Sequence, residues 1–323
     1  MPDLPPAPPA DTPPAAAPYA SIDVGTNSVK MVIADLSDGG ARRLYDNSVT
    51  TRLGEGMQAQ AGRLREVPMR RTLDALAGFV GIACEQGVRG IAAVGTAALR
   101  EAANRDEFLR RAQERCGLAI DVISGEEEAR LSYLAVRRDP HWRAFSRLLV
   151  LDIGGGSTEI IEGEPNGDAI ASRRSISLGA VKLTERYLKS DPPTVTQLAA
   201  AHQIAAEEFG SVALSAYNGD TQVVGVGGTM TNLAAIDLQG RTDPESLHGH
   251  TLRADALENL IERFASRTVA ERKQIPGLDP ARADIILGGA ILLSQALAHI
   301  GATALDVSTR GLRWGVLYDR FAS

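Results

Sequence analysis

The chain has 323 residues, 44% of them hydrophobic and 23% charged, with a formal net charge of −6. That is the composition of a globular protein of about two domains. The acidic balance excludes nucleic-acid binding through a global basic field, so an anionic substrate would have to be met by local positive charge.

In chain order, residues 1–18 (MPDLPPAPPADTPPAAAP) hold 8 of the 16 prolines and predict a disordered or polyproline-like tail. From 19, SIDVGTNSVKMVIADL gives two apolar runs around a polar, Gly-containing turn, the pattern of a hairpin. Residues 63–86 predict a helix, with Leu73, Leu76, Phe79, Val80 and Ala83 at helical spacing. IAAVGTAALRE (91–101) predicts a short buried strand and then a turn. Residues 104–116 predict a helix with Asn104 as N-cap, 119–124 a strand, and a further helix starts near Gly125. The polar, Pro-containing segment 137–147 predicts a hinge or domain boundary.

The second half restarts with a strand hairpin at 148–164 and a strand near 169–177, followed by helices at 179–189 and 196–215. Residues 221–237 predict strand, Gly-rich turn and helix. Helices at about 253–267 and 281–300, a strand at 304–308 and a terminal helix near 311–321 complete the chain. Strands alternate with helices in both halves, which argues for α/β architecture. The expected domains are 19–140 and 141–323, with the terminal helix able to return to the first.

No uncharged apolar run reaches the roughly 18 residues of a membrane span, and the N-terminus shows no cationic start or apolar signal core. Cys84 and Cys116 are the only cysteines and lack metal-ligand spacing. A cytoplasmic protein with buried thiols in a reducing compartment is expected.

One phrase is written twice. SIDVGTNSVKMVI (21–33) and VLDIGGGSTEII (150–161) each carry an Asp, an apolar residue, a Gly, two small residues and a Ser inside apolar chain. Such turns present several backbone N–H groups with little bulk and form anion nests, to which Ser28 and Ser157 add hydroxyls. The Asp before each turn, Asp23 or Asp152, sits where it can hold a metal or its water. A third small-residue loop, GVGGTMTN (225–232), follows a strand and opens a helix, and helix N-termini favour phosphate. A duplicated α/β domain with one phosphate-handling cleft between the copies accounts for all three loops. The phosphate-binding candidates are Gly25, Thr26, Asn27 and Ser28 in the first loop, Gly154, Gly155, Gly156 and Ser157 in the second, and Gly227, Gly228 and Thr229 in the third. No P-loop sequence occurs, and the glycines at 154–156 do not make a dinucleotide fingerprint, because a strand follows where a helix is needed. His248 and His250 lack a metal-binding context and are expected to be structural.

Two DxGxxS hairpins and a later GGT loop resemble the sugar kinase, heat-shock chaperone and actin superfamily. Within it the chain is similar to the exopolyphosphatase and guanosine pentaphosphate phosphohydrolase family, Ppx/GppA. The residues that carry this are IDVGTNSVKMVIAD (22–35), VGTAALREAANRDEFL (94–109), ISGEEEARLSYLAV (123–136), LVLDIGGGSTEII (149–161), SLGAVKLTERY (177–187) and GVGGTMTNLAAI (225–236). They keep the family's order and spread from 21 to about 317. ISGEEEAR with DIGGGSTE is the specific part. The resemblance implies two ribonuclease H-like (actin-like ATPase) domains with mixed sheets flanking an interdomain cleft. It implies an exopolyphosphatase, hydrolysing terminal phosphoanhydride bonds of inorganic polyphosphate with Mg2+ or another divalent cation. Guanosine pentaphosphate as substrate is the alternative. An ATP-binding actin-like switch is a further one, and it would need an adenosine pocket. The absence of an added C-terminal helical region, carried by longer members, suggests a preference for shorter chains. Family members are often homodimers, although no stripe of this sequence marks an interface.

Phosphoanhydride hydrolysis needs the terminal phosphoryl held, its charge offset and a water aimed in line. Three Glu residues in GEEEAR (125–130) open a helix, a place where acids are also favoured for dipole reasons alone. By resemblance the general base is Glu128, with Glu127 the fallback. Glu159 is a further catalytic candidate, and Asp152, Glu159 and Asp23 are the metal-site candidates. Glu159 follows Asp152 by seven residues, a separation that can bring the two side by side across a hairpin. Arg100 resembles the family's substrate-contacting Arg, with Lys182 and Arg130 as secondary cations. Arg310 and Arg313 resemble the C-terminal motif, from which Trp314 departs.

Overall fold

The computed structural model describes residues 18–37, 40–165, 169–214 and 221–322, so residues 1–17 of the expected tail lie outside the described part. The first half contains β1 (Tyr19–Val24), β2 (Ser28–Ser37), β3 (Gly40–Thr50), α1 (Glu66–Glu85), β4 (Ile91–Gly95), α2 (Ala97–Glu101), α3 (Arg105–Cys116), β5 (Asp121–Val122) and α4 (Gly125–Arg137). The second half opens with β6 (Arg147–Ile153), β7 (Thr158–Gly163), β8 (Ile170–Ile176), α5 (Ala180–Tyr187), α6 (Val195–Gly210), β9 (Thr221–Val226) and α7 (Gly228–Asp237). It closes with α8 (Pro244–Leu247), β10 (Thr251–Arg253), α9 (Ala254–Ala265), α10 (Val269–Arg272), α11 (Ile286–Ile300), β11 (Ala304–Ser308) and α12 (Leu312–Phe321).

Each half is built on one mixed sheet, as the ribonuclease H-like expectation requires. The first has the order β3-β2-β1-β4-β5 and the second β10-β11-β9-β6-β7-β8. In both, a hairpin runs antiparallel (β1 with β2, β6 with β7) while its first strand pairs in parallel with a later one (β4 or β9). The hairpin turns therefore lie at the carboxyl ends of β1 and β6, where the parallel strands also end. Ligands of open α/β sheets bind at such edges.

The central strands are buried on both faces, so their sequences read as nearly continuous apolar runs. Leu149, Leu151 and Ile153 of β6 face a core shared with α6, α7, α9 and α11, while Leu148 and Val150 face α4. In the first half Ile22, Val24, Val29 and Met31 pack on α1 and α3, whereas Val32 and Ala34 of β2 meet α12.

Two helices fill the space between the sheets. Helix α4, from the first half, lies on β6, β7 and β8, and α12, the last helix, lies on β1, β2 and β4. They cross each other closely. A Cβ on Gly315 would stand 1.8 Å from the Leu131 carbonyl oxygen, so this contact admits only glycine.

Several local expectations need correction. β3 was not foreseen, and the turn expected after β4 is helix α2. Asn104 does not cap α3 with its side chain; its amide instead brackets Leu64, accepting from the backbone N at 2.8 Å and donating to the O at 3.2 Å. Cys84 is exposed rather than buried, and both cysteines are free. The 137–147 segment is pinned by Trp142, which is 0% exposed and packs between α4 and β6.

Replacing Gly315 by Val should destabilise the protein by about 2–3 kcal/mol, because α4 and α12 must separate. Gly78, exposed in α1 with nothing within 4 Å of where a Cβ would stand, is the control; Gly78→Ala should stabilise by about 0.5–1 kcal/mol. Urea midpoints measure both, and a Gly315→Val midpoint equal to wild type would refute the crossing as a constraint.

Candidate active site

The repeated phrase forms the same turn twice. Gly25 N–H donates to Ser28 O, and Gly154 N–H to Ser157 O, both at 3.0 Å. Among the described residues no protein acceptor takes the backbone N–H of Thr26, Asn27, Gly155, Gly156 or Ser157. These unclaimed donors line one cleft of about 520 Å³, with Gly227 and Gly228 of the third loop beside them. The two hairpins nearly touch: a Cβ on Gly156 would lie 2.6 Å from Thr26 Oγ1 and 2.8 Å from Ala97 Cβ. That approach explains why the second copy needs glycine where the first carries Asn27. Gly227 has φ +95, and a Cβ there would sit 2.8 Å from Asp152 Oδ1, so the third loop also depends on a bare backbone.

Four carboxylates gather under these loops. Asp152 faces Glu159 directly across the β6–β7 ladder, as the seven-residue spacing predicts. In the first hairpin the residue facing Asp23 is Lys30, whose Nζ is 3.5 Å from Asp23 Oδ2. Asp152 Oδ2 accepts from Ser132 Oγ at 2.9 Å. Glu159 is fully buried behind the second loop; Oε1 accepts from Ser175 Oγ at 2.8 Å, and Oε2 has no partner. Asp23 Oδ1 is likewise buried without a partner. Glu128, on the first turn of α4, lines the cleft. Its Oε2 lies 3.1 Å from Arg100 Nη1, which also donates to Ile123 O at 2.9 Å.

Burial sets the protonation of this group. It pushes Glu128 up to about 8; the Arg100 guanidinium opposes, and Asp152 and Asp23 add to the rise. Glu159 is held well above the carboxylate range by burial, then by Glu128 and Asp152. Asp152 is raised by burial, against Lys30 and the Ser132 bond. Crowded, water-poor carboxylates of raised affinity for protons have, for the same reason, raised affinity for a cation. No group of three His, Cys, Asp or Glu among the described residues stands close enough to hold a metal alone. The donor set still fits Mg2+. That ion takes hard oxygens, keeps several waters and usually binds through one or two carboxylates plus substrate phosphates. The orphaned oxygens of Asp23 and Glu159 are the natural acceptors for such an ion or its waters.

Some candidates fall elsewhere. Glu127 does not reach the cleft: its carboxylate is forked on Arg130 at 2.7 and 2.9 Å, which holds it below the usual range. Arg130 is spent on that pair and on Asp319. Lys182 is buried 2.7 Å from Glu101, outside the cleft lining. Thr229 turns its hydroxyl onto Ile153 O at 3.1 Å, fastening the third loop to β6 instead of facing a ligand. Arg313 pairs with Asp46, and Arg310 lies over Trp314 with its guanidinium 4.7 Å from the ring centre. His248 approaches Asp139 at 3.4 Å and His250 bonds Asp237 at 2.7 Å, both packing roles. Two cleft cations went unforeseen. Lys30 was legible, since it follows Asp23 by the same seven residues that separate Glu159 from Asp152. Arg282, at the end of a single helical turn (Pro280–Arg282) before α11, had no spacing to reveal it; its Nη2 lies 3.3 Å from Ser28 Oγ.

The chain is similar to known proteins over nearly its whole length. The model of the Ppx/GppA phosphatase family matches residues 32–323. Exopolyphosphatase 2 of Mycobacterium tuberculosis is 33% identical over 314 residues, covering 92% of this chain and 96% of its own. The crystal structure of the Aquifex aeolicus Ppx/GppA family member superposes with a TM-score of 0.78 at 32% identity, covering 94% of this chain and 96% of that one. The crystal structure of an exopolyphosphatase from Cytophaga hutchinsonii gives a TM-score of 0.84 at 28% identity, with 93% and 96% coverage.

The raised Glu128 makes stability depend on pH. In the folded state this group keeps a proton to about 8, whereas its ordinary value is 4.5. Folding stability is therefore full below the ordinary value and is lost as pH rises through the folded one. Glu128→Gln cannot ionise, so its urea midpoint should gain on wild type as pH rises from about 4.5 to about 8 and hold that gain above. Parallel pH dependence in the two proteins would show that Glu128 is not protonated in the folded state.

Proposed function

The chain belongs to the Ppx/GppA phosphatase family, and we propose that it is an exopolyphosphatase, releasing terminal orthophosphate from inorganic polyphosphate with Mg2+ or another divalent cation. It is an enzyme of phosphoanhydride hydrolysis. The observation that carries the substrate reading is the double row of unclaimed N–H groups at Thr26, Asn27, Gly155, Gly156 and Ser157 in one cleft. Such a cradle suits the oxygens of a phosphoryl group. The free state of both cysteines, one exposed, suits the reducing cytoplasm.

In this reading the two hairpins and the Gly227–Gly228 loop hold the terminal phosphoryl. Lys30 and Arg282 offset its charge, each being a cation of the cleft wall. Glu128 is the general base that takes a proton from the attacking water, and Arg100 fixes the orientation of its carboxylate. A divalent ion held through one or two of Asp23, Asp152 and Glu159 together with the substrate phosphates would supply positive charge at the phosphate oxygens and draw the surrounding carboxylates into their ionised forms. Ser132 and Ser175 orient Asp152 and Glu159 by their hydroxyl bonds.

Phosphate release from tripolyphosphate, long-chain polyphosphate and guanosine pentaphosphate, with Mg2+ and with excess chelator, tests this. Polyphosphate should be cleaved, chelator should stop the reaction, and Glu128→Gln should lower kcat by about 10²–10⁴-fold. Preferential cleavage of guanosine pentaphosphate would replace the proposed substrate. Tight ATP binding without release from any of the three would overturn the hydrolase mechanism. An unchanged rate in Glu128→Gln would remove Glu128 as the base.

A further inference from the structure

Residues 279–285 run as a strap between α10 and α11, with a single tight helical turn at Pro280–Arg282. Asp279 N–H donates to Asn232 Oδ1 at 2.8 Å, and Asn232 Nδ2 donates to Gly228 O at 2.9 Å, so the strap begins tied to the third phosphate loop. From below, Arg272 is 3% exposed; its Nε donates to Phe264 O at 2.8 Å and its Nη1 approaches Ala283 O at 3.5 Å.

The third tie crosses the cleft. Arg52 belongs to the loop after β3, and its φ of 53 is unusual for a residue with a side chain. The conformation is enforced by the first phosphate hairpin. Thr51 and Arg52 both give their N–H to Asn27 O, at 3.0 and 2.8 Å, and Gly54 gives its N–H to Thr26 O at 2.9 Å. So oriented, the Arg52 side chain leaves the first half, donates Nη2 to Ala281 O at 2.8 Å and forks on both oxygens of Asp284. Both partners are about one-third exposed, at 32% and 31%. A freely hinged pair of that exposure contributes little. This one differs because the backbone of Arg52 is already aimed and a carbonyl shares its guanidinium.

Between these ties one side chain of the strap enters the cleft. Arg282 Nη2 reaches Ser28 Oγ at 3.3 Å, and the guanidinium lies so close to Gly228 that a Cβ there would stand 2.2 Å from it. No carboxylate pairs with Arg282 among the described residues, so its charge is left for an anion. It spans the first and third phosphate loops, which belong to different halves of the molecule.

We infer that Arg52 and Asp284 are positioning residues, whose ion pair across the cleft sets the Arg282 guanidinium between Ser28 and Gly228 to meet the phosphates of the substrate. Arg52 makes no phosphate contact itself; it acts through the strap. The hydrolase reading above supplies only the identity of the anion. Phosphate release by the wild type tests that reading, and the variants below test the strap.

Affinity for sodium tripolyphosphate is measured by titration calorimetry in a Glu128→Gln background, which removes the proposed base. Arg282→Met should weaken binding about ten- to a hundredfold, and Arg52→Met and Asp284→Asn should each weaken it about tenfold. The deciding comparison is the double variant: with Arg282→Met already present, Arg52→Met should cost less than about twofold further. The reversed pair, Arg52→Asp with Asp284→Arg, should recover part of the loss, since Asp tolerates the left-handed backbone. Melting temperatures report any general loss of fold. Multiplying losses in the double variant, or unchanged affinity in Arg52→Met, would overturn the inference.

Discussion

Where α4 and α12 cross, at Gly315 and the Leu131 carbonyl, the two halves meet with no room for a side chain, and the geometry of the cleft depends on that crossing. Helix α4 carries Glu128 on its first turn and Ser132 one turn later, the proposed base and the hydroxyl that orients Asp152. Helix α12 begins with Leu312, which lines the cleft, and lies on the sheet that ends in the first hairpin. The distance between the helices therefore sets the distance between a base mounted on one sheet and a phosphate loop mounted on the other. A side chain at the crossing would widen the cleft.

Around that frame the electrostatics are arranged in opposition. Asp23, Asp152 and Glu128 line the cleft with Glu159 buried behind them, while Lys30 and Arg282 stand in its wall and Arg100 backs Glu128. Burial outweighs the cations for Glu128, Asp152 and Glu159, whose affinities for protons all rise. The site without ligand thus stores unfavourable charge that either protons or a metal can relieve. A polyanion would add to the difficulty unless a cation accompanied it, which is the physical reason behind the proposal that substrate and divalent ion bind as a set. The two copies of the hairpin divide this labour: the position facing the Asp is Lys30 in one and Glu159 in the other.

Much of this was legible because local rules and function agree at the loops. The duplicated turn, its position at the carboxyl ends of strands and the pairing of Asp152 with Glu159 all follow from spacing. Elements that depend on tertiary context were not legible. β3 carries Arg42, Arg43, Asp46, Asn47 and Ser48, and is mostly exposed; it is a strand because β2 offers it an edge, not because its side chains alternate. Thr229 shares the small-residue pattern of the other loops, yet its hydroxyl is claimed by Ile153 O. Glu127 and Glu128 are indistinguishable in sequence. They separate by helical geometry alone, which turns one toward Arg130 at the surface and the other toward Arg100 in the cleft. Arg282 is positioned by partners far away in the chain, and no local pattern could have marked it.

The exchange of covering helices has a consequence for how such a molecule can be taken apart. The first sheet is closed on one face by the last helix of the chain, and the second by a helix that precedes its own first strand. Val32 and Ala34 would be bare without Trp314 and Leu317, and Leu148 and Val150 bare without Ala129 and Tyr133. A gene cut near residue 140 would yield two fragments, each missing the lid of its own core and carrying the lid of the other. The pair resembles interlocked hands more than beads on a string: two similar units, each closed over its core by a helix from the other's half of the chain.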